Sequence, residues 1–167
     1  MNRSRSSKTS GSSPSARERR PSAERGWSPL LERDGRHAIC NQYGLLILAG
    51  EHSDSFLQRK GFGPGYAIVV HRGDRHVTEP TELSEAAMSG YWAEVMAVSR
   101  AIERTYEPVK MNLMMLGNQL PHLHTHVVPR YGSDADAGGP PVFDDQAPAR
   151  DEEQLRREAE ELRVARP

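Results

Sequence analysis

The run His122-Leu123-His124-Thr125-His126-Val127-Val128 sets three imidazoles at alternate positions of five residues, in a 167-residue chain that has seven histidines in all. Imidazole changes charge near neutral pH, so such a cluster can divide the work of nucleophile, proton donor and hydrogen-bond donor. In an extended strand successive side chains point to opposite faces. The spacing therefore predicts His122, His124 and His126 on one face and Leu123, Thr125 and Val127 on the other. Burial of the second face would leave a row of imidazoles at an accessible surface. A strand with idle surface histidines explains a lone histidine well, but neither the clustering nor the alternation. A metal site is the other rival, since neutral imidazole is a common ligand. The outer pair, however, would stand on the order of 13 Å apart at strand rise. No carboxylate or thiol motif in the sequence completes a two-histidine site, so metal is the weaker account.

The elements that must hold this run can be read around it. Gly44-Leu45-Leu46-Ile47-Leu48-Ala49 is a short apolar run and reads as a buried strand. Gly61-Phe62-Gly63-Pro64-Gly65 is a turn, and Tyr66 to His71, rich in β-branched residues, is a second strand. Ser84 is placed to cap a long helix, along which Met88, Tyr91, Trp92, Val95, Val98, Ile102 and Tyr106 recur at spacings of three and four, up to Pro108. That stripe reads as a seam facing the core. Lys110 to Leu116 reads as a third strand, Gly117-Asn118-Gln119 as the turn out of it, and His122 to Val128 as a fourth strand closed by Pro129. Residues 132–149, rich in Gly, Pro and Asp, read as a loop. Residues 150–167 read as a C-terminal helix, with Asp151 and Gln154 at capping-box spacing and Leu155, Ala159 and Leu162 on one face. The fold class expected is α+β, an antiparallel sheet packed with one long helix and a C-terminal helix.

Bulk properties narrow the partners. Lys and Arg number 22 and Asp and Glu 23, a formal net charge of -1, which gives no case for nucleic-acid binding by the whole protein. The single cysteine, Cys40, excludes an internal disulfide and is compatible with a cytoplasmic location, its simplest role being a small apolar filler. No apolar run approaches the ~18 residues needed to span a bilayer, so no membrane partner is expected. Residues 1–26 carry six Arg and one Lys against two Glu with almost nothing to bury, and read as a disordered Ser/Arg-rich tail. The ordered part is expected to begin near Trp27 or Arg36, giving a domain over 36–131.

The histidine run resembles the pattern that names the histidine-triad (HIT) family, in which three histidines alternate with apolar residues and two more apolar residues follow. Thr125 is the one partly polar residue in an apolar slot. The flanks are similar too: Pro64-Gly65-Tyr66-Ala67-Ile68-Val69-Val70, with Tyr66 where the family commonly has His; Arg75-His76-Val77; Glu82-Leu83-Ser84; Gly117-Asn118-Gln119-Leu120-Pro121 leading in, and Pro129-Arg130 leading out. The resemblance runs from about Gln42 to Tyr131, and the tail helix is similar to that of the fragile-histidine-triad branch.

The resemblance implies a nucleotide hydrolase or nucleotidyl transferase acting on a nucleoside phosphoramidate, an adenylylated compound or a dinucleoside polyphosphate. His124 would attack the α-phosphorus and form a nucleotidyl-histidine. His122 and His126 would flank the phosphoryl group, His126 protonating the leaving group. Gly117, Asn118 and Gln119 would bind the phosphate, Gln119 standing where the family usually has Ser or Thr. A homodimer is implied. No cofactor is required, and Mg is admitted only as a companion of the nucleotide substrate. Two alternatives stay open: a non-catalytic nucleotide-binding protein using the same pocket, and a metal-dependent hydrolase. His71 and His76 read as surface residues at strand ends, His37 and His52 show no partner, and Asn41 and Gln42 match a base-binding wall poorly.

Overall fold

The computed structural model describes residues 44–134, 138–144 and 146–163. The expected tail, the start near Trp27 or Arg36, and His37, Cys40, Asn41 and Gln42 lie outside the described residues, as do residues 164–167 of the expected terminal helix. Five strands form one antiparallel sheet: β1 (Gly44–Ala49), β2 (Ser53–Gln58), β3 (Ala67–His71), β4 (Lys110–Met115) and β5 (His124–Arg130), in the order β1-β2-β3-β5-β4. Helix α1 (Glu85–Tyr106) joins β3 to β4, and α2 (Glu152–Glu161) follows the sheet. The α+β class expected from the sequence is the one observed.

Both helices cover one face of the sheet. Tyr91, Val95, Val98 and Ile102 of α1 and Leu155, Ala159 and Leu162 near α2 are buried with Leu45, Leu57, Ala67, Val69 and Val127. Burying each large side chain contributes roughly 1.5–3 kcal/mol. The expected seam holds with one exception, Trp92, which is 40% exposed. Ser84 caps α1 by accepting from Ala87 N at 3.2 Å, and the helix ends at Glu107, whose φ of +46° precedes Pro108. Asp151 accepts from Gln154 N at 2.8 Å. The terminal helix ends at Glu161, shorter than the span expected. Glu158 ties it back through Tyr106 and Arg150, and Glu152 through Arg59. The opposite face of the sheet carries Phe56, Ile68, Val70 and Val128 with Tyr66, and is the face of His124 and His126.

One strand, β2, is absent from the reading of the sequence. Its residues Ser-Asp-Ser-Phe-Leu-Gln include poor strand formers, yet all six are buried between β1 and β3. Neighbours satisfy most of the polar side chains. Ser53 Oγ donates to Glu94 at 2.6 Å, Asp54 lies 3.8 Å from Arg72, and Gln58 donates to Phe56 O at 3.2 Å. Glu94, itself buried on α1, also accepts from Glu51 N at 2.8 Å and His52 N at 3.1 Å, holding the β1–β2 turn to the helix.

Candidate active site

The strand carrying the histidines runs two residues later than expected, from His124 to Arg130, and His122 stands before it. The cause is local. His122 N donates to Leu120 O at 2.8 Å, a tight turn, and Leu123 N donates to Val77 O at 2.7 Å, so this stretch leaves the ladder. Pro129 does not close the strand. His71 N donates to Leu123 O, so the odd-numbered residues of β5 direct their backbone groups toward β3. Pairing with β3 stops at Val127, and Pro129 pairs by register with Met111 of β4. The missing N–H of Pro129 thus faces a side where no β3 residue needs it.

The expectation of three imidazoles in one exposed row is corrected in two ways. His122 turns inward: it is 2% exposed, its Nε2–H donates to His71 O at 2.8 Å, and its ring stacks on His76 at 4.9 Å. His124 is buried as well, and His126 is half-buried. The apolar neighbours explain this. In register, His124 faces Val70, and His126 lies between Ile68 and Met114. His71 and His76, read as surface residues, are buried beside His122. The fully buried strand around His71 was the available signal for that.

His124 and His126 meet directly. Their Nε2 atoms are 3.1 Å apart and their rings cross at 68°. His124 Nδ1 lies 2.7 Å from His122 O, and a carbonyl only accepts, so Nδ1 carries the proton. Burial lowers the pKa of His124, with the bond to His122 O opposing, and the neutral ring then has a bare lone pair on Nε2. His126 is lowered to about 4, by burial first and by His124 second. Facing a lone pair, His126 Nε2 must be the donor of the pair. Its Nδ1 is then an acceptor, and Tyr66 Oη lies 2.7 Å from it. Burial raises the pKa of Tyr66, so its hydroxyl remains a donor. Protons therefore point one way: Tyr66 O–H to His126 Nδ1, His126 Nε2–H to His124 Nε2, His124 Nδ1–H to His122 O.

From behind the sheet, Tyr91 on α1 fixes the same strand. Its hydroxyl reaches Val69 O at 3.0 Å and Thr125 Oγ1 at 2.8 Å. Thr125, the polar residue in an apolar slot, is thereby a tether between the two histidines. Gly117, Asn118 and Gln119 lie on the turn after β4, outside the histidine chain. Gly117 has φ of +112°, a conformation that favours glycine, and Asn118 and Gln119 are exposed. A cleft of about 170 Å³ is lined by Phe62, Val128, Arg130, Asp134 and Val142 among others, and by neither histidine of the pair. Ligand pockets usually exceed ~300 Å³, so this cleft would take only part of a nucleotide-sized molecule. Among the described residues, no group of three or more His, Cys, Asp or Glu is placed to hold a metal ion. No described helix is long and apolar enough to cross a membrane.

Comparison with known proteins bears on the family and the fold. A model of the HIT domain matches residues 41–133. Protein hit of Bacillus subtilis is 28% identical over 91 residues, covering 52% of this chain and 61% of that protein. The AP-4-A phosphorylase of Mycobacterium tuberculosis is 29% identical over 101 residues, covering 58% of this chain and 52% of that protein. The chain thus spans a little over half the length of these relatives. A histidine triad protein from Bradyrhizobium japonicum superposes with a TM-score of 0.67 at 23% identity, over 78% of this chain and 97% of the other. One from Marinobacter aquaeolei does so with a TM-score of 0.61 at 27% identity, over 70% and 84%. With more than half its length matched by that domain and the same fold in solved relatives, the chain belongs to the histidine-triad family.

Proposed function

We propose that the protein is a nucleotide hydrolase or nucleotidyl transferase that cleaves at the α-phosphate through a covalent nucleotidyl-histidine on His124. The observation behind this reading is the direction of the hydrogen bonds. His124 gives its only proton to a backbone carbonyl, which leaves Nε2 bare, and burial keeps the ring unprotonated at neutral pH. A nucleophile of this kind needs no separate base. Entry of a phosphate between His124 and His126 would take over the His126 N–H and release the lone pair. The anionic phosphate favours a protonated His126. As the His124 Nε2–P bond forms and the bond to the leaving group breaks, the leaving atom takes the His126 Nε2 proton. Water, or an acceptor phosphate, then attacks phosphorus, gives its proton to His126 and releases His124. His122, anchored to His71 O, supplies the carbonyl that orients His124. Gly117, Asn118 and Gln119 would bind phosphate oxygens from the adjoining turn.

The substrate class follows from the leaving group: a nucleoside phosphoramidate, an adenylylated compound or a dinucleoside polyphosphate. The name of the M. tuberculosis relative fits the last of these. No metal ion takes part in this scheme, and Mg would enter only with the substrate.

Rapid-quench mass spectrometry tests the reading. Wild type mixed with these substrates in the presence of a chelator should gain the mass of one nucleotidyl group. His124→Gln should neither gain it nor turn over, with an unchanged circular dichroism spectrum. Turnover by His124→Gln at the wild-type rate would refute the assignment. Nucleotide binding by wild type without turnover of any of the three classes would instead support a binding protein, and activity lost on chelation a metal-dependent hydrolase.

A further inference from the structure

Tyr66 begins the hydrogen-bonded chain, and its surroundings fix where its hydroxyl points. The residue is 2% exposed and immediately precedes β3. Its ring meets Phe62 edge-on at 4.9 Å and lies nearly parallel to His126, at 8° and 6.0 Å. Gly61 closes against it: a Cβ there would come within 2.9 Å of Tyr66 Cε1 and 2.8 Å of Phe143 Cε2. A phenol so enclosed has one partner for its proton on the histidine side, His126 Nδ1 at 2.7 Å.

In a neutral imidazole the hydrogen bond made by one nitrogen bears on the state of the other. A donor at Nδ1 therefore acts together with the bare Nε2 of His124, 3.1 Å from His126 Nε2, and holds the ring in that orientation. A hydroxyl can also rotate and accept, so the same contact would hold the ring when both nitrogens are protonated. We infer that Tyr66 is a positioning residue that holds the His126 ring with Nε2 turned to the leaving group, accepting from Nδ1–H as the protonated ring gives its Nε2 proton, and so suits the enzyme to substrates whose leaving group must be protonated. This rests on the nucleotidyl-transfer reading above. Its consequence is a dependence on leaving-group basicity: the loss of Tyr66 should matter for amines and alcohols of high pKa and not for groups that depart as stable anions.

The test is Tyr66→Phe, which keeps the ring and its packing, with two substrates: a nucleoside 5′-phosphoramidate of an alkylamine and a nucleoside 5′-(p-nitrophenyl phosphate). With the phosphoramidate, the single-turnover rate of nucleotidyl transfer to His124, read before the hydrolytic step that both substrates share, should fall by roughly 10- to 100-fold, a part of the ~10²–10⁴ that general acid catalysis contributes. With the p-nitrophenyl ester, that rate should stay within about threefold. Equal losses on both substrates would mean a structural role and overturn the inference. A second readout needs no turnover. Nitrogen-15 NMR of the free protein should show His126 Nδ1 as a hydrogen-bonded acceptor in wild type, its resonance moving downfield toward that of a free acceptor nitrogen in Tyr66→Phe. An unchanged Nδ1 shift would equally overturn it. If wild type hydrolyses neither substrate, the reading of the function fails, and the NMR result still decides the role of Tyr66.

Discussion

Acidification should destabilise this fold through His126 in a defined window. The ring has a pKa of about 4 in the folded protein, against an ordinary value of 6.5. Between those values the unfolded chain binds a proton that the folded chain refuses, so stability rises with pH across the window. The contribution is fully present above about pH 6.5 and is lost as pH falls toward about 4. Linkage over that interval puts the His126 share of the loss between about pH 7.5 and about pH 5 near 2 kcal/mol. Partial exposure of the ring reduces this to about 1–2 kcal/mol. His124 and His71 are shifted in the same direction by burial and add to the total slope, so His126 must be isolated by difference. His126→Asn removes the titration and offers an amide oxygen to the Tyr66 hydroxyl. Urea unfolding followed by circular dichroism, at half-unit steps of pH, should give wild type a profile steeper than that of His126→Asn by about 1–2 kcal/mol over the window. Parallel profiles for the two proteins would refute the claim that a dry, neutral His126 faces His124. A nucleotide whose phosphate sits beside the ring should flatten the wild-type slope, because an adjacent anion raises the pKa.

Two more predictions concern what holds and extends the sheet. Tyr91→Phe should cost about 1–3 kcal/mol because it strands the buried Thr125 hydroxyl, whereas adding Thr125→Val should recover about 1 kcal/mol of that loss; thermal melts giving additivity within ~0.3–0.5 kcal/mol would show that the hydroxyls are not coupled. The edge strand β4 is flanked by Val109 and Leu116, 72% and 55% exposed, and an open edge favours pairing; light scattering should give twice the chain mass of 18.6 kDa at micromolar concentration, and a monomer throughout would refute a homodimer.

Where hydrophobic pattern and local geometry coincide, the sequence was a sound guide. The glycine-bounded apolar run gave β1 its full extent, and the three- and four-residue spacing with Ser84 gave α1 both its start and its buried face. The failures are tertiary in origin. β2 was hidden because Ser53 and Asp54 are acceptable in a strand only once Glu94 and Arg72, distant in sequence, are beside them. The histidine alternation brings His124 and His126 together, as spacing predicts, but does not show the form of the cluster. Period two holds from His124 onward, whereas His122 belongs to a turn set by its own bond to Leu120 O and by that of Leu123 N to Val77 O, 46 residues earlier in sequence. Nor does spacing show that His71 and His76 pack around His122, or that the hydroxyl of Tyr66 ends on His126 rather than on a ligand.

The polar residue in the apolar slot and the buried state of the imidazoles have one explanation. If His124 is the nucleophile proposed above, its strand must be held against roll about its own axis, since a small rotation would carry Nε2 of His124 away from a bound phosphorus. Leu123 and Val127 resist roll only by packing, which tolerates small slips. Thr125, centred between the two rings on the opposite face, adds a directional bond to Tyr91, and Tyr91 is bonded in turn to Val69 O of the neighbouring strand. Tyr66 then fixes His126 from the histidine face. The pair is thus braced by one tyrosine from each side of the sheet. Burial supplies the rest: the apolar neighbours that order the rings also keep them uncharged. A solvated row of the same histidines would be partly protonated near neutral pH, and a protonated His124 has no lone pair to offer.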